Sequence, residues 1–391
     1  MPVQAPTVNG STSKGNDKAK AAAVIPFTRA SRKKRKQAFQ LVTALTANPQ
    51  TLNPIQLPPG GFLRYVDVIF SLLTAANAAV VTFAADGPFN VLTYVDLRNS
   101  AGDSIIVPFT GYQLMLINKY GALGIQPPFG DPRTPRSFST TAGAVATGGS
   151  FTFKLRIPLE FDPRDAIAAV PNLAANKSYQ LQFNISTSAT PYGVAPTTPG
   201  TLTITGVMAY WAQPNELNTA KANQMVAPLG NGTVSLWRLQ NETVAQGEKL
   251  TQLLNVGNVI RTIIFVLRTA AGVRSAADWA SISQLILNDD IVDYLPTAFW
   301  QSWMGEDYGM DVAGPDVYRS LDSGVFVYSE FNNQRGMVNP DGPRDQFLVT
   351  YNTTLLQLRS TSFGATASQL EIIQNDVKPT SALALYSPNI V

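Results

Sequence analysis

From Pro54 onward the sequence is a succession of short runs of Val, Ile, Thr, Phe and Tyr separated by clusters of Gly, Pro, Asn and Asp. That punctuation restricts the fold more than any other feature. β-Branched and aromatic side chains suit a pleated surface, and glycine and proline end it. The runs predict strands over Phe62 to Leu73, Ala79 to Ala84, Val91 to Leu97, Ser104 to Pro108, Gln113 to Asn118, Phe151 to Ile157, Tyr179 to Ile185 and Thr201 to Trp211. Strands this short, joined by long excursions, predict two packed antiparallel sheets rather than a parallel sheet with crossover helices.

A polar connector, Gln213 to Asn223, precedes a second series: Thr233 to Leu239, Val259 to Leu267, Gly324 to Phe331, Gln346 to Tyr351 and Thr354 to Arg359. Each series carries a predicted helical interruption. In the first it is Phe161 to Pro171, where Asp162 can cap and Pro163 suits the first helical position. In the second it is Ser275 to Trp303, opened by Ser275 and Asp278 as a capping pair. Two comparable series predict an all-β chain with a duplicated sandwich. The expected divisions are a basic arm over 1–48, a first sandwich over 49–214, and a connector with the second sandwich over 215–391.

The formal charge of +3 conceals a separation along the chain. Residues 1–40 hold nine of the 29 bases against Asp17 alone, leaving twenty bases and twenty-five acids for the rest. Such an arm suits a polyanion or an anionic lipid face. The run Arg32, Lys33, Lys34, Arg35, Lys36 leads into Ala38, Phe39, Leu41, Val42, Ala44 and Leu45, a spacing that predicts a short amphipathic helix with Ser31 as N-cap. Nucleic-acid neutralisation, a nuclear address and attraction to a lipid leaflet are all compatible with the run, and the apolar face beside it favours the membrane surface. Arg29, Arg32 to Lys36 and Phe39 are therefore the candidate membrane or polyanion contacts. Val66 to Ala85 is the most apolar long stretch, but Asp67, Ser71 and Asn77 interrupt it, so two strands fit better than a membrane span. Met1 to Asn16 has no apolar central region, and no secretory leader is expected.

The chain has no Cys and no His. Disulfides, thiolate or imidazole metal sites, Cys nucleophiles and Ser-His-Asp triads are excluded by composition. No phosphate-cradling glycine loop follows a strand. Glu306, Asp307, Asp311 and Asp316 are the best candidates for a hard cation, although their spacing is not that of an EF-hand and an acidic run is ordinarily a solvated loop. The pairs Asp289 with Asp290, and Asp162 with Asp165, are more simply caps than a glycosidase dyad. Tyr294, Phe299, Trp300, Trp303 and Tyr308 suit a core or a subunit contact better than a ligand platform.

Three stretches carry a family likeness. They are Gly61-Phe62-Leu63 with Asp86 to Val91 and the Asn99 to Asp103 turn; Ile157-Pro158-Leu159 with Asp165, Ala168, Ala169, Val170-Pro171 and Tyr179 to Phe183; and, in order, Val259 to Leu267, Ser275 to Trp303 and Gly324 to Phe331. In this order the chain resembles the double jelly-roll major capsid proteins of tectivirus-type bacteriophages, the lineage that includes adenovirus hexon. The resemblance implies two consecutive eight-stranded jelly-roll sandwiches and no enzymatic activity or cofactor. It implies a homotrimer with six barrels, tiling an icosahedral shell over an internal membrane that encloses double-stranded DNA. Implied partners are further copies of the chain, the internal viral membrane with minor capsid or membrane proteins, and a weak nucleic-acid contact through the arm. Localisation would be the virion, with assembly in the host cytoplasm. Apolar helical excursions would then supply subunit contacts, with Ile167, Val170, Trp279, Trp300 and Trp303 as candidates. Two other readings compete: a single-barrel coat protein of an RNA virus with a genome-binding arm, and a secreted glycan-binding β protein.

Overall fold

The computed structural model describes residues 24–75, 77, 79–121, 136–140, 148–162, 165–174, 178–228, 230–308, 322–328, 348–350 and 355–378. The first sandwich contains β1 (Lys33–Ala44), β2 (Gln50–Thr51) and β3 (Ile55–Gln56) as one interrupted strand, β4 (Gly61–Leu73), β5 (Leu92–Arg98) and β6 (Ser104–Phe109). Helix α1 (Gly111–Tyr120) follows, then β7 (Phe151–Pro158), β8 (Gln180–Ile185) and β9 (Thr201–Trp211). The second contains β10 (Val234–Thr243), β11 (Gly247–Gln252), β12 (Val259–Thr269), β13 (Ile282–Leu287) and β14 (Asp290–Pro296). Helix α2 (Thr297–Tyr308) follows, then β15 (Val325–Tyr328), β16 (Leu356–Phe363) and β17 (Ala367–Lys378).

In the first sandwich one antiparallel sheet runs β1-β9-β4-β7 and faces another in which β2 and β3 pair with β8, followed by β5 and β6. In the second, β10-β17-β12-β15 faces β11-β16-β13-β14. With eight strands counted in chain order, both sandwiches have the order 1-8-3-6 over 2-7-4-5. Both place a helix between the fifth and sixth strands. The duplication that the letters conceal is therefore explicit in the topology.

Alternation builds the cores. In β7 the residues Phe151, Phe153, Leu155 and Ile157 point inward between half-exposed neighbours, and β9 follows the same rhythm. Phe70 stacks on Phe153 at 5.2 Å, and Phe89 lies 4.7 Å from Phe153. The second core centres on Trp279, stacked 4.0 Å from Phe326, with Trp300, Phe265 and Phe363 around it.

The structure corrects several expectations. The predicted amphipathic helix is strand β1, paired with β9 from Lys33 opposite Trp211 to Ala44 opposite Thr201. Residues 33–44 thus open the first sandwich instead of belonging to an arm; ahead of them stands one helical turn, Phe27–Ala30, with Phe27 buried. A bulge at Ala38 explains the difference, because the extra residue breaks the two-residue alternation and mimics helical spacing. Gln113 to Asn118, expected as a strand, lies in α1. Its capping box is complete: Gln113 donates its backbone N–H to Thr110 Oγ1, and the Thr110 N–H donates to Gln113 Oε1. Phe161 to Pro171 contains no helix among its described residues; Ala166 and Ala168 have positive φ, and Asp162 bridges to Ile167. Most of Ser275 to Trp303 is a hairpin, β13 and β14, joined by Asn288 and Asp289 at positive φ, with α2 beginning only at Thr297. Two positive-φ residues between paired strands suit a tight hairpin turn. Only Thr82–Phe83 of the predicted Ala79 to Ala84 strand forms. No described helix is long and apolar enough to cross a membrane. The arm before residue 24 lies outside the described residues.

Removing the α1 cap with Thr110→Ala is expected to lower unfolding stability by about 1 kcal/mol. A urea midpoint equal to that of the parent protein would show the cap to be dispensable.

Candidate interaction surface

The two sandwiches are joined by one sheet. β6 of the first lies parallel to β10 of the second, with Ile106 opposite Trp237, so that the ten-stranded sheet crosses from one to the other. Helix α1 packs against β12 at this seam. Gly121, just past α1, leaves no room for a side chain: a Cβ would stand 2.8 Å from the buried Trp237 ring.

A buried ionic cluster holds the same junction. Arg274 donates from Nε to Asp86 Oδ1 at 2.7 Å, and Arg268 Nη1 lies 2.8 Å from Asp86 Oδ2. Arg268 Nε reaches Glu371 Oε1 at 2.6 Å, and Gln113 of α1 donates to Glu371 Oε2 at 3.2 Å. Both guanidinium groups lie over the Tyr112 ring, at 5.5 and 4.8 Å. Lys119 pairs with Asp322, which also accepts from Tyr120 Oη at 2.7 Å. Burial works against the Arg268 charge, and Glu371 and Asp86 more than offset it. Burial also pushes the Tyr112 hydroxyl well above its ordinary range. Charges withdrawn from water in this way are costly to leave without a partner, so the cluster ties the two sandwiches to each other.

At one end of the molecule a second contact adjoins. Phe161, Ile167 and Ala168 from the first sandwich pack with Val259 and Val377 of the second, and Arg261 lies over the Phe161 ring at 4.6 Å. The start of β1 and the end of β9 share this end with the start of β10 and the end of β17. Here Glu160 accepts from Trp211 Nε1 and Arg64 Nε, each at 2.5 Å, while Lys33 stands over Trp211 at 4.8 Å. Burial raises the Glu160 carboxyl above its ordinary range despite Arg64 and the indole N–H.

Among the described residues, β1 and β14 each end their sheet and leave one edge without a paired strand. β1 exposes Lys33, Lys34, Arg35 and Lys36, and Arg29 and Arg32 are exposed just ahead of it. β14 exposes Ile291, Val292 and Tyr294, and α2 beside it exposes Phe299 (61%) and Trp303 (49%). Apolar residues gathered beside an unpaired edge, unlike scattered ones, are the kind of surface that suits a contact.

Other predicted site residues fall elsewhere. Phe39 is half buried in the first sandwich, its ring 6.0 Å from Phe183 and over Gly206. Ile167 lies in a contact between sandwiches of one chain, and Val170 is buried in the first of them. Trp279 and Trp300 are core residues; Trp300 donates Nε1–H to the Val327 carbonyl at 2.6 Å. Of the three tryptophans expected at a subunit surface, Trp279 and Trp300 are drawn into the core and Trp303 stays exposed. Asp311 and Asp316 lie outside the described residues, as does the side chain of Asp307; among the described residues no acidic cluster could hold a metal ion. Asp86, Arg268, Arg274 and Glu371 escape a reading of the sequence, because charges 285 positions apart carry no pattern that joins them.

No family profile and no curated protein matches the sequence. Solved structures do. The STIV MCP aligns over 88% of this chain and 96% of its own with a TM-score of 0.58 and 13% identity. The PBCV-1 virus capsid aligns over 91% and 96%, with a TM-score of 0.57 and 10% identity. Major capsid protein P2 from bacteriophage PM2 aligns over 90% and 98%, with a TM-score of 0.51 and 12% identity. The chain is a double jelly roll. The second jelly roll, continuous in sheet with the first, removes the single-barrel reading.

In this double jelly roll, Asp86→Ala removes the carboxylate that Arg274 and Arg268 share. Breaking a buried pair is expected to cost about 3 kcal/mol and to separate the unfolding of the two jelly rolls. A single calorimetric transition at an unchanged temperature would contradict this role of the cluster.

Proposed function

We propose that this chain is the major capsid protein of an icosahedral double-stranded DNA phage with an internal membrane, and that three copies form each capsomer. The observation that carries the reading is the duplicated eight-stranded order spanning nearly the whole chain and locked at one angle. A shell tile must be rigid and must touch copies of itself; two sandwiches fused through one sheet supply the first need, and unpaired edges on both supply the second. The resident site would be the virion, after assembly in the host cytoplasm. Minor capsid or membrane proteins would occupy the space between shell and lipid.

The end that carries Arg29, Arg32, Lys33 and Lys34 is the one we assign to the membrane side. Both jelly rolls place the start of their first strand and the end of their last strand there. Lys14, Lys18 and Lys20 precede these residues in the sequence and carry the same sign of charge. Cations near an anionic leaflet contribute about 1 kcal/mol each. Weak contact with packaged nucleic acid through the same bases follows the same electrostatics.

Electron microscopy of particles containing this chain, together with its mass in solution, tests the capsid reading: many copies per icosahedral particle and a mass three times that of one chain are expected. A chain that stays monomeric and enters no particle would end it. For the membrane side, Arg29→Gln with Arg32→Gln is expected to weaken binding to phosphatidylserine vesicles by roughly thirtyfold at low salt, leaving capsomer mass unchanged. Equal binding by parent and variant, or binding indifferent to added salt, would show that this end does not meet anionic lipid.

A further inference from the structure

Between β9 and β10 the chain passes from one jelly roll to the other, and its last bend before β10 is the turn Gly230-Asn231-Gly232. The Asn231 N–H donates to the Pro228 carbonyl at 3.0 Å, and the Thr233 N–H to the Gly230 carbonyl at 2.9 Å. The Gly232 N–H between them donates to no described group, and Asn231 is exposed, its side chain without a hydrogen bond to another described residue. An N–H open to water can lose its proton to hydroxide, which a hydrogen-bonded one does only after local opening. Glycine also has no Cβ to shield its nitrogen, and Gly232 holds a φ of 96° that most other residues avoid.

No other asparagine among the described residues precedes glycine, and several are otherwise held. Asn48 and Asn53 precede prolines, whose nitrogen carries no hydrogen. Asn99 accepts through Oδ1 from the Ala101 and Asp103 N–H groups, and Asn218 from those of Ala220 and Ala222. Asn118, Asn172 and Asn375 are buried. Asn231 alone joins an unengaged amide to an unengaged, unshielded nitrogen on the residue that follows.

We propose that Asn231 is a site of spontaneous deamidation, at which the chain converts with age to aspartate and isoaspartate. Asparagine is among the thermolabile side chains. The deprotonated Gly232 nitrogen attacks Asn231 Cγ: the N–Cγ bond forms, the Cγ–Nδ2 bond breaks, and ammonia leaves with a proton taken from water, giving a five-membered cyclic imide. Water then opens the ring. Cleavage of the N–Cγ bond leaves an aspartate in an unaltered main chain. Cleavage between that nitrogen and the main-chain carbonyl carbon leaves isoaspartate, with one methylene inserted in the main chain. In sum an amide and a water become a carboxylate and an ammonium ion, with no change of oxidation state.

The turn opens β10, at the end of the molecule that also carries Arg29 and Arg32. Conversion places a carboxylate there and lowers the formal charge by one from +3. Old copies therefore hold anionic lipid less firmly than new ones; this consequence rests on the membrane side assigned above, and the chemistry at Asn231 does not. Isoaspartate also lengthens the chain beside buried Gly230, where a Cβ would stand 3.5 Å from Ile167 of the contact between sandwiches.

The full chain, folded and aged in mildly alkaline and in mildly acid buffer, is digested with trypsin, and the peptide running from Ala222 to Arg238 is fragmented in a mass spectrometer. The mass gain of an amide turned into an acid is expected at Asn231, growing with time, faster in the alkaline buffer, and divided between an aspartate and an isoaspartate form. The same peptide synthesised alone gives the unrestrained rate. If it converts while Asn231 of the folded chain does not, the turn protects the residue and the proposal is overturned. Asn231→Gln, whose amide would have to close a larger ring, is expected to abolish the gain; an equal gain in its peptide would place the reaction at Asn223 and overturn the assignment. Asn231→Asp, the product charge set in advance, is expected to weaken binding to phosphatidylserine vesicles about fivefold at low salt. Equal binding by this variant would overturn the effect on lipid even where the mass gain appears. Neither capsomer mass nor particle formation enters the mass measurement, so its failure and that of the capsid reading are separate.

Discussion

The junction between Asp86, Arg268, Arg274 and Glu371 is the constraint from which the rest of the molecule takes its shape. Either jelly roll could close its own core, since each has eight strands and a full set of inward aromatics. What neither can do alone is fix its direction relative to the other. A purely apolar junction would tolerate small rotations, because dispersion contacts are numerous and undirected. Two guanidinium groups sharing one carboxylate above a buried phenol ring do not tolerate them. The single parallel pairing of Ile106 with Trp237 joins the two jelly rolls at the same junction.

That junction also explains an asymmetry between two halves of equal topology. β12 reads as an almost unbroken apolar run, Val259 to Leu267, because α1 and the first jelly roll cover the face that would otherwise be wet. β4, at the same place in the first jelly roll, alternates and carries Asp67, bridged to Arg156 at 2.6 Å, on a face that no helix covers among the described residues. Composition here records which surface of which half is occupied within one chain. It also says that a half-polar sheet face will be covered, if at all, by something that tolerates hydrogen bonding as well as apolar contact.

The alternating strands β4, β7, β8 and β9 were legible because one face of each is wet, which is the condition under which a period of two appears in a sequence. Expectation and structure part where that condition fails. Helix α1 is covered on all sides, so Gln113 to Asn118 shows no helical period; only the Thr110 and Gln113 capping pair betrays it. Strand β1 loses its alternation at the Ala38 bulge. The hairpin of β13 and β14 was announced by Asn288-Asp289 between two apolar runs, a turn signal outweighed by aromatic residues that belong to the following helix. Of the candidate site residues, the exposed bases and Trp303 remain on the surface, Phe39 is half buried, and Trp279 and Trp300 are buried. Sequence distinguishes large rings from small ones but not the side of a helix on which the next layer lies.

The basic run acquires a second meaning once it is seen to lie on a strand edge. An unpaired edge invites pairing with any other edge, including its own twin on another copy. Four consecutive cations on β1 make that twin contact repulsive, since like charges would stand opposite each other along the shared ladder. Discrimination of this kind needs no additional attraction; it needs only that the wrong pairing cost more than the right one. For a chain whose two halves share one strand order, the chief hazard is association of like edge with like edge, and charge placed on one edge alone is the least change that forbids it.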